Sequence, residues 1–208
     1  FISLGLAACG SQSVLSQADA NTQTTTKTST SSTTQTASYF EASDLTATYD
    51  ESKASKISLQ GTTATVSGDG VTVNGSTVEI TKAGTYIVEG TATNVQLKVA
   101  AGKEDEVQIV FKNATLKNTE APLLVDTAKK VILTVADGTK NEVADESTST
   151  VKGAIYSDSD LTINGKGSLT VTGAASNAIK SKDGIRIVDA TVTTTAKKHG
   201  VAANDFVN

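Results

Sequence analysis

Short segments that alternate apolar and polar residues follow one another along most of the chain from residue 57 onwards. Five of them are Thr63–Val66, Val71–Val73, Val78–Ile80, Tyr86–Val88 and Val95–Val99. Turn-favouring residues such as Gly68–Gly70 and the Asn74-Gly75 pair separate these segments. Alternation with a period of two is typical of β-strands that bury one face, and Asn-Gly between two such segments favours a hairpin turn. The pattern predicts many short strands, and no window predicts a long amphipathic helix.

The second half of the chain contains an internal repeat. Residues 153–163 align with residues 177–187, and a third copy begins at Gly200. An apolar-x-apolar segment recurs at Val107, Val131, Leu161, Ile185 and Val207, with spacings of 24, 30, 24 and 22 residues. The longest spacing contains a polar insertion between residues 137 and 150, so the underlying period is about 23 residues.

This period indicates the architecture. It is too short for a helix-pair repeat or a propeller blade, but it fits a coil of three short strands. Because stacked coils bring equivalent side chains into rows, we predict three inward rows and one outward row. The inward rows are Ile155/Ile179/Val201, Leu161/Ile185/Val207 and Leu169/Val192, and the outward row is Thr162/Arg186/Asn208. The predicted fold is an all-β, right-handed parallel β-helix; a β-sandwich is the alternative, but it does not explain the near-constant spacing.

Residues 1–9 are mostly apolar and end in Leu6-Ala7-Ala8-Cys9, as the tail of a secretory signal peptide does. The run is too short to span a bilayer as a helix. The Leu-Ala-Ala-Cys string at residues 6–9 resembles the lipobox of bacterial lipoproteins. This resemblance implies that Cys9 is lipidated and anchors the protein at the extracytoplasmic face of the cell membrane. An ordinary signal remnant with an incidental cysteine is the alternative.

Residues 10–43 are predicted to be a disordered tether. Between residues 21 and 38, 13 of 18 residues are Ser or Thr, so the segment cannot bury enough apolar surface to offset the entropy of ordering. We expect the folded domain at residues 44–208.

The composition excludes several kinds of chemistry. A single Cys excludes an intramolecular disulfide. A single His, His199, disfavours a Ser-His-Asp triad and excludes a centre with several His ligands. The net charge of −4 argues against nucleic-acid binding, which needs a basic surface.

Aspartates recur at the corner before the core strand of each repeat: Asp158 and Asp160 in the first copy, Asp183 in the second and Asp205 in the third. Carboxylates on adjacent coils repel each other unless a cation lies between them, and Ca²⁺ prefers oxygen ligands. The corner therefore predicts calcium as a cofactor. The alternative is that these aspartates are turn residues neutralised by Lys180 or Lys182.

Several motifs carry a family resemblance. They are Tyr-Asp-Glu-Ser at residues 49–52, the Gly84–Gly90 segment, Ala-Asp-Gly-Thr-Lys-Asn at residues 136–141, and the Ala-Ile-x-Ser units that begin at Ala154 and Ala178. Together they resemble bacterial carbohydrate-binding β-helix proteins, which are surface lipoproteins with a polysaccharide-lyase-like fold. The resemblance implies binding of polysaccharides such as cellulose or polygalacturonate, and calcium at corners that match the aspartates. It also implies further coils, so we expect the chain to be truncated at its C-terminus.

We therefore predict a monomeric, non-catalytic, polysaccharide-binding surface lipoprotein for a plant-type or acidic polymer. Tyr156 is expected to point outward and stack on a sugar ring, with packing at the coil edge as the alternative, and Lys180 and Lys182 are expected to bind acidic groups. A structural or adhesive β-helix is one alternative function. A calcium-dependent polysaccharide lyase is another, in which Arg186 would be the base, although we expect this arginine to be a solvent-facing strand residue.

Overall fold

The structure is a computed structural model that describes residues 39–208. The predicted lipidation residue Cys9 and residues 10–38 of the predicted tether lie outside the described residues. No helix within residues 39–208 is long and apolar enough to cross a membrane. The described chain is built from strands, which confirms the all-β class.

Seventeen strands lie within the described residues: β1 (Ser55–Gly61), β2 (Thr63–Ser67), β3 (Val71–Asn74), β4 (Thr77–Ile80), β5 (Gly84–Thr93), β6 (Gln96–Ala100), β7 (Glu106–Asn118), β8 (Leu123–Thr127), β9 (Lys130–Val135), β10 (Lys140–Asp145), β11 (Gly153–Ser157), β12 (Asp160–Gly165), β13 (Ser168–Gly173), β14 (Asn177–Ser181), β15 (Ile185–Val188), β16 (Thr191–Ala196) and β17 (Val201–Ala203). They form two sheets. One has the order β17-β14-β11-β8-β6-β4-β3, and the other follows β15-β12-β9-β7-β10-β13-β16, with β1, β2 and β5 attached beside it.

Most neighbouring strands are parallel, and the antiparallel pairs lie near the start of the domain. Strand β1 pairs with β2, and β3 pairs with β4, in antiparallel hairpins. The predicted Asn74-Gly75 turn joins β3 to β4, and Gly75 has a φ of 60°, a left-handed conformation that glycine adopts without strain. The predicted hairpin is therefore confirmed.

Strands β5 and β7 are long because each takes part in two rows of strands. The first half of β7 pairs with β9, and its second half pairs with β10. Gly90 lies where the pairing register of β5 shifts, and a Cβ there would come within 2.4 Å of the carbonyl oxygen of Leu59. With a φ of 94° as well, this position requires glycine.

The strands can thus be described as three stacks. Stack A contains β1, the first halves of β5 and β7, and then β9, β12 and β15. Stack B contains the second halves of β5 and β7, and then β10, β13 and β16. Stack C is the sheet from β3 to β17.

The pairing predicted for the inward rows is confirmed, although Val207, the last member of its row, is 52% exposed and does not face the core. Ile155 pairs with Ile179, which pairs with Val201. Leu161 pairs with Ile185, which forms a bridge with Val207, and Leu169 pairs with Val192. The recurring positions Val107, Val131 and Leu161 are also neighbours in stack A. Residues that recur at this spacing in the sequence are therefore paired on neighbouring strands.

One hydrophobic cluster contains the inward side chains of all three stacks. It includes Ile109 and Leu133 of stack A, Leu169 and Val171 of stack B, and Ile179 of stack C, all fully buried. Each such side chain contributes about 1.5–3 kcal/mol when buried. A second, smaller cluster (Ile87, Val110 and Ala136) lies apart from the main core, and Tyr49 packs against it.

The outward face of stack A is covered by residues 39–49, which we call the strap. Asp44 of the strap is fully buried, and Thr162 Oγ1 donates a hydrogen bond to its Oδ1. Asn164 Nδ2 donates to the carbonyl oxygens of Asp44 and Thr46. The strap is therefore tied to the middle of strand β12.

Two expectations need correction here. Thr162 and Arg186 are neighbours in register, as predicted, but they do not face solvent, because the strap covers them: Thr162 is fully buried and Arg186 is 8% exposed. The tether was expected to extend to residue 43, yet Arg186 binds the carbonyl oxygen of Tyr39 and Lys130 binds Glu41. Ordered contacts therefore begin before Asp44.

Candidate functional site

The sequence-predicted sugar-binding residues lie together on the outward face of stack C. Tyr156 pairs in register with Leu124 on one side and Lys180 on the other, and Lys180 pairs with Ala202. Ile155, one position earlier, is fully buried, so alternation turns Tyr156 outward, where it is partly exposed. The result is one aromatic ring within a row of parallel strands.

Two lysines flank this ring. Lys182 Nζ lies 6.0 Å from the centroid of the Tyr156 ring and 2.8 Å from Oδ2 of Asp158. Lys180 Nζ donates a hydrogen bond to Asn204 Oδ1. We call Tyr156, Lys180 and Lys182 the Tyr156 patch.

The charges around the patch are coupled. The hydrogen bond to Asp158 raises the pKa of Lys182, which therefore stays protonated at neutral pH. Burial, and then the charge of Asp158, raises the pKa of Tyr156, so its phenol stays neutral. The patch can thus offer an apolar ring face, one phenol and two ammonium groups that donate hydrogen bonds. This is a chemistry suited to sugar rings and to carboxylates.

The four predicted corner aspartates lie near one another, and the carboxylates of two of them have protein partners. Asp158 is paired with Lys182, and Asp160 Oδ1 accepts a hydrogen bond from the Gly184 backbone N–H. The backbone N–H of Asp205 donates to the carbonyl oxygen of Asp183. Burial, followed by the charges of Asp160, Asp205 and Asp158, raises the pKa of Asp183. The repulsion expected between stacked carboxylates is therefore present.

A calcium site does not fit this arrangement. No group of three or more His, Cys, Asp or Glu side chains in residues 39–208 comes together in a way that could hold a metal ion. Lys182 contacts Asp158 Oδ2, and Arg186 Nη1 lies 3.3 Å from Asp160 Oδ1, so protein cations already neutralise two of the four carboxylates. Neutralisation by Lys182 is what the turn-residue alternative predicted for this corner. Calcium binding stays a prediction of the sequence alone, and the contacts of the described side chains argue against it.

Arg186 is buried beneath the strap and contacts protein groups there. Its Nε lies 3.5 Å from Asp44 Oδ2, and its guanidinium lies 4.7 Å from the centroid of the Phe206 ring. The strap residue Tyr39 accepts a hydrogen bond from it through its carbonyl oxygen. A guanidinium so covered cannot reach a substrate without displacement of the strap. The arrangement disfavours the role of a lyase base.

The sequence reasoning missed the buried charge cluster beneath the strap. Lys130 Nζ contacts both Asp44 and Glu41, and its side chain is 2% exposed. One signal in the sequence could have indicated this cover. The outward positions Ile87, Val110 and Ile132 of stack A are apolar, which is unexpected for a face in contact with water.

A family model described as "carbohydrate-binding domain-containing protein" matches residues 74–208. A curated protein of that description from Acetivibrio thermocellus is 34% identical over 137 residues, which are 62% of this chain. The match spans about half the length of that relative, 48%.

A solved structure is also similar. It is described as a polysaccharide lyase-like protein from C. thermocellum, in a gadolinium derivative. The TM-score is 0.65 at 25% sequence identity, and the match covers 74% of this chain and 81% of the solved one.

Proposed function

This chain belongs to the family of carbohydrate-binding domain-containing proteins, and from this premise we propose that it is a non-catalytic polysaccharide-binding protein whose contact surface is the Tyr156 patch. One observation carries the proposal: the Tyr156 ring lies outward on a parallel sheet, with Lys180 beside it in register and Lys182 Nζ 6.0 Å from its centroid. Equivalent positions on successive strands form a row, and such a row can contact successive units of an extended polymer.

The polymer that fits the patch best is acidic. Each lysine carries an ammonium group that can bind the carboxylate of a uronic acid unit, while the tyrosine ring covers the apolar face of a sugar. Asp158 shares the ammonium group of Lys182, whereas the ammonium group of Lys180 is hydrogen-bonded to the uncharged side chain of Asn204. Calcium has no part in the proposal, because the corner carboxylates do not fit a calcium site.

We also propose the arrangement that brings this surface to its polymer. The three stacks are successive sides of a right-handed parallel β-helix, which accounts for the 24-residue spacing of paired positions such as Leu161 and Ile185. A lipid on Cys9 and the Ser/Thr-rich segment hold the monomeric domain at the cell surface. Labelled fatty acid incorporation that Cys9→Ala abolishes is the expected result for the anchor.

Retention on immobilised polygalacturonate tests the surface. Tyr156→Ala is expected to weaken retention roughly tenfold, as the loss of a central aromatic contact does, and Lys180→Gln with Lys182→Gln should weaken it further at low salt. Lys53→Gln with Lys56→Gln is the matched control. Both lysines are exposed, at or just before β1, and the double substitution removes the same amount of positive charge as the double substitution in the patch. Equal retention of the Tyr156→Ala variant and the wild type would exclude the patch.

A lyase is the second candidate, since the solved relative is described as lyase-like. The buried position of Arg186 disfavours it. The full chain, given polygalacturonate with and without Ca²⁺, is expected to produce no rise in ultraviolet absorbance from unsaturated product. A rise that Arg186→Lys removes would support the lyase instead.

A further inference from the structure

A groove of about 450 Å³ lies between the strap and the outward side of stack A. Tyr49 of the strap lines it, together with Asp137 and Thr139 from the β9–β10 turn and Lys166 from the β12–β13 turn. None of these residues belongs to the Tyr156 patch.

The Tyr49 side chain forms one side of the groove and is held in place by packing. It packs against the small cluster of Ile87, Val110 and Ala136 and remains partly exposed. Since this packing holds the side chain in place before a ligand arrives, binding does not cost the entropy of ordering it. An aromatic ring held in this way beside polar groups is suited to a sugar ring.

The charges around the groove cancel. Lys112 also lines it, but Lys112 Nζ is 2.7 Å from Glu51 Oε1, which neutralises it. The remaining charged side chains, Lys166 and Asp137, are opposite in sign and both exposed. A carboxylate ligand would gain little net attraction here. Sugar hydroxyls, by contrast, can donate to Asp137 and accept from Lys166.

We propose that this groove is a second saccharide site, selective for an uncharged sugar unit and separate from the Tyr156 patch. The inference rests on the proposed carbohydrate-binding function. The volume lies within the range of small-ligand sites, roughly 300–1,000 Å³. Because the groove lies on stack A and the Tyr156 patch lies on stack C, one domain engages two polymer segments of different charge, which strengthens binding to mixed polymers.

The experiment uses the isotope-labelled full chain carrying Tyr156→Ala, titrated with three uncharged probes: cellotetraose, xylotetraose and mannotetraose. At least one probe is expected to shift the backbone amide signals of Thr48, Asp137 and Lys166. Asp137→Ala and Lys166→Ala are each expected to weaken that probe's affinity roughly tenfold, because each removes a hydrogen bond to a charged group. Tetragalacturonate should shift these signals much less.

Controls separate binding from folding. Asp137 and Lys166 are exposed, so their alanine variants should melt as the parent does. Tyr49→Leu keeps an apolar contact with Ile87 and Val110 but removes the ring, and it should also weaken binding. Lys56→Ala, on β1, should leave affinity unchanged.

Failure of this proposal is distinguishable from failure of the proposed function. If no uncharged probe moves the groove signals while polygalacturonate retention still depends on Tyr156, the second site is wrong and the polymer surface stands. If the groove responds but retention does not depend on Tyr156, the second site stands and the patch is wrong. Probe affinity that is identical in the Asp137→Ala, Lys166→Ala and parent proteins would overturn the groove.

Discussion

Lys130 Nζ lies 2.9 Å from Asp44 Oδ1, and the two side chains are 2% and 0% exposed. The pair joins the strap to the first residue of β9, across 86 positions of sequence. Glu41 Oε2 also lies 2.9 Å from Lys130 Nζ, and Arg186 approaches Asp44 from β15. Together with the hydrogen bond from Thr162 of β12, a single buried carboxylate thus connects the strap to three strands of stack A.

The first prediction concerns this carboxylate. Asp44→Ala should destabilise the domain by about 3–5 kcal/mol, because it leaves Lys130 and Arg186 buried with less compensation. Chemical denaturation of the full chain measures the change. Asp69→Ala is the matched control, since Asp69 forms an exposed pair with Lys82 and should matter little. Equal stability of the two variants would contradict the role assigned to Asp44.

The second prediction is a loss of stability in acid. Burial alone raises the pKa of Asp44, but hydrogen bonds from Thr162 and the Glu41 backbone, together with Lys130, outweigh it and hold the pKa below its ordinary value of 3.8. A depressed folded-state pKa contributes stability above the unfolded-state pKa, and this contribution is lost as the pH falls through the folded-state value.

The free energy of unfolding should therefore fall when the pH drops below about 4. Denaturation curves between pH 7 and pH 2 test this. The Asp44→Ala variant should lose less stability over that range than the wild type, because it lacks the group whose protonation is responsible. Parallel curves for the two proteins would assign the acid sensitivity to other carboxylates.

The third prediction tests the register of the inward rows. Ile179→Asp places a charge between Val201 and Ile155 in the core and should cost about 4 kcal/mol or more. Thr193→Asp, on the exposed side of β16, is the control and should be close to neutral. Thermal melts of both variants compare them, and equal losses would mean that the register is wrong.

Thr162→Asp gives a further test of the strap. If the outward face of β12 were exposed to solvent, Thr162→Asp would have little effect on stability. Because Thr162 is fully buried and donates a hydrogen bond to Asp44, the variant should instead place two carboxylates in contact and destabilise the domain severely. A neutral effect would indicate that the strap does not cover β12 in solution.

The fourth prediction concerns calcium. Millimolar Ca²⁺ should leave the melting temperature unchanged, because the described side chains do not form a metal site and Lys182 already neutralises Asp158. A ligand that binds only the folded state would raise it. An increase that chelator reverses, and that Asp183→Asn with Asp205→Asn abolishes, would restore the calcium site expected from the sequence.

The sequence predicts the strand rows well because two regularities act together. Alternation decides which residues of a strand face the core, and the recurring spacing decides which residues of successive strands are neighbours. Leu161 and Ile185 satisfy both, and they pair as expected. The same regularities bring Tyr156 beside Lys180.

The strap is different because no periodicity describes it. Its contacts join Asp44 to Thr162 and Lys130, which are 118 and 86 positions away, and the ion pair relies on charged residues that are usually exposed. A strand pattern shows that Thr162 and Arg186 face outward, but it does not show what lies outside them. The cover depends on a particular tertiary contact, so the solvent exposure of Arg186 was predicted wrongly.

The position of Asp44 also determines how the domain responds to mechanical force. A pull on the chain from its N-terminal side reaches Asp44 before it reaches β1, so the tension passes first into the Lys130 and Arg186 contacts. Those contacts distribute the load over β9 and β15, which belong to the hydrogen-bonded interior and the far part of stack A. The first strand is not peeled from the sheet until the ion pairs break. The strap therefore protects the strands from traction applied through the N-terminal segment.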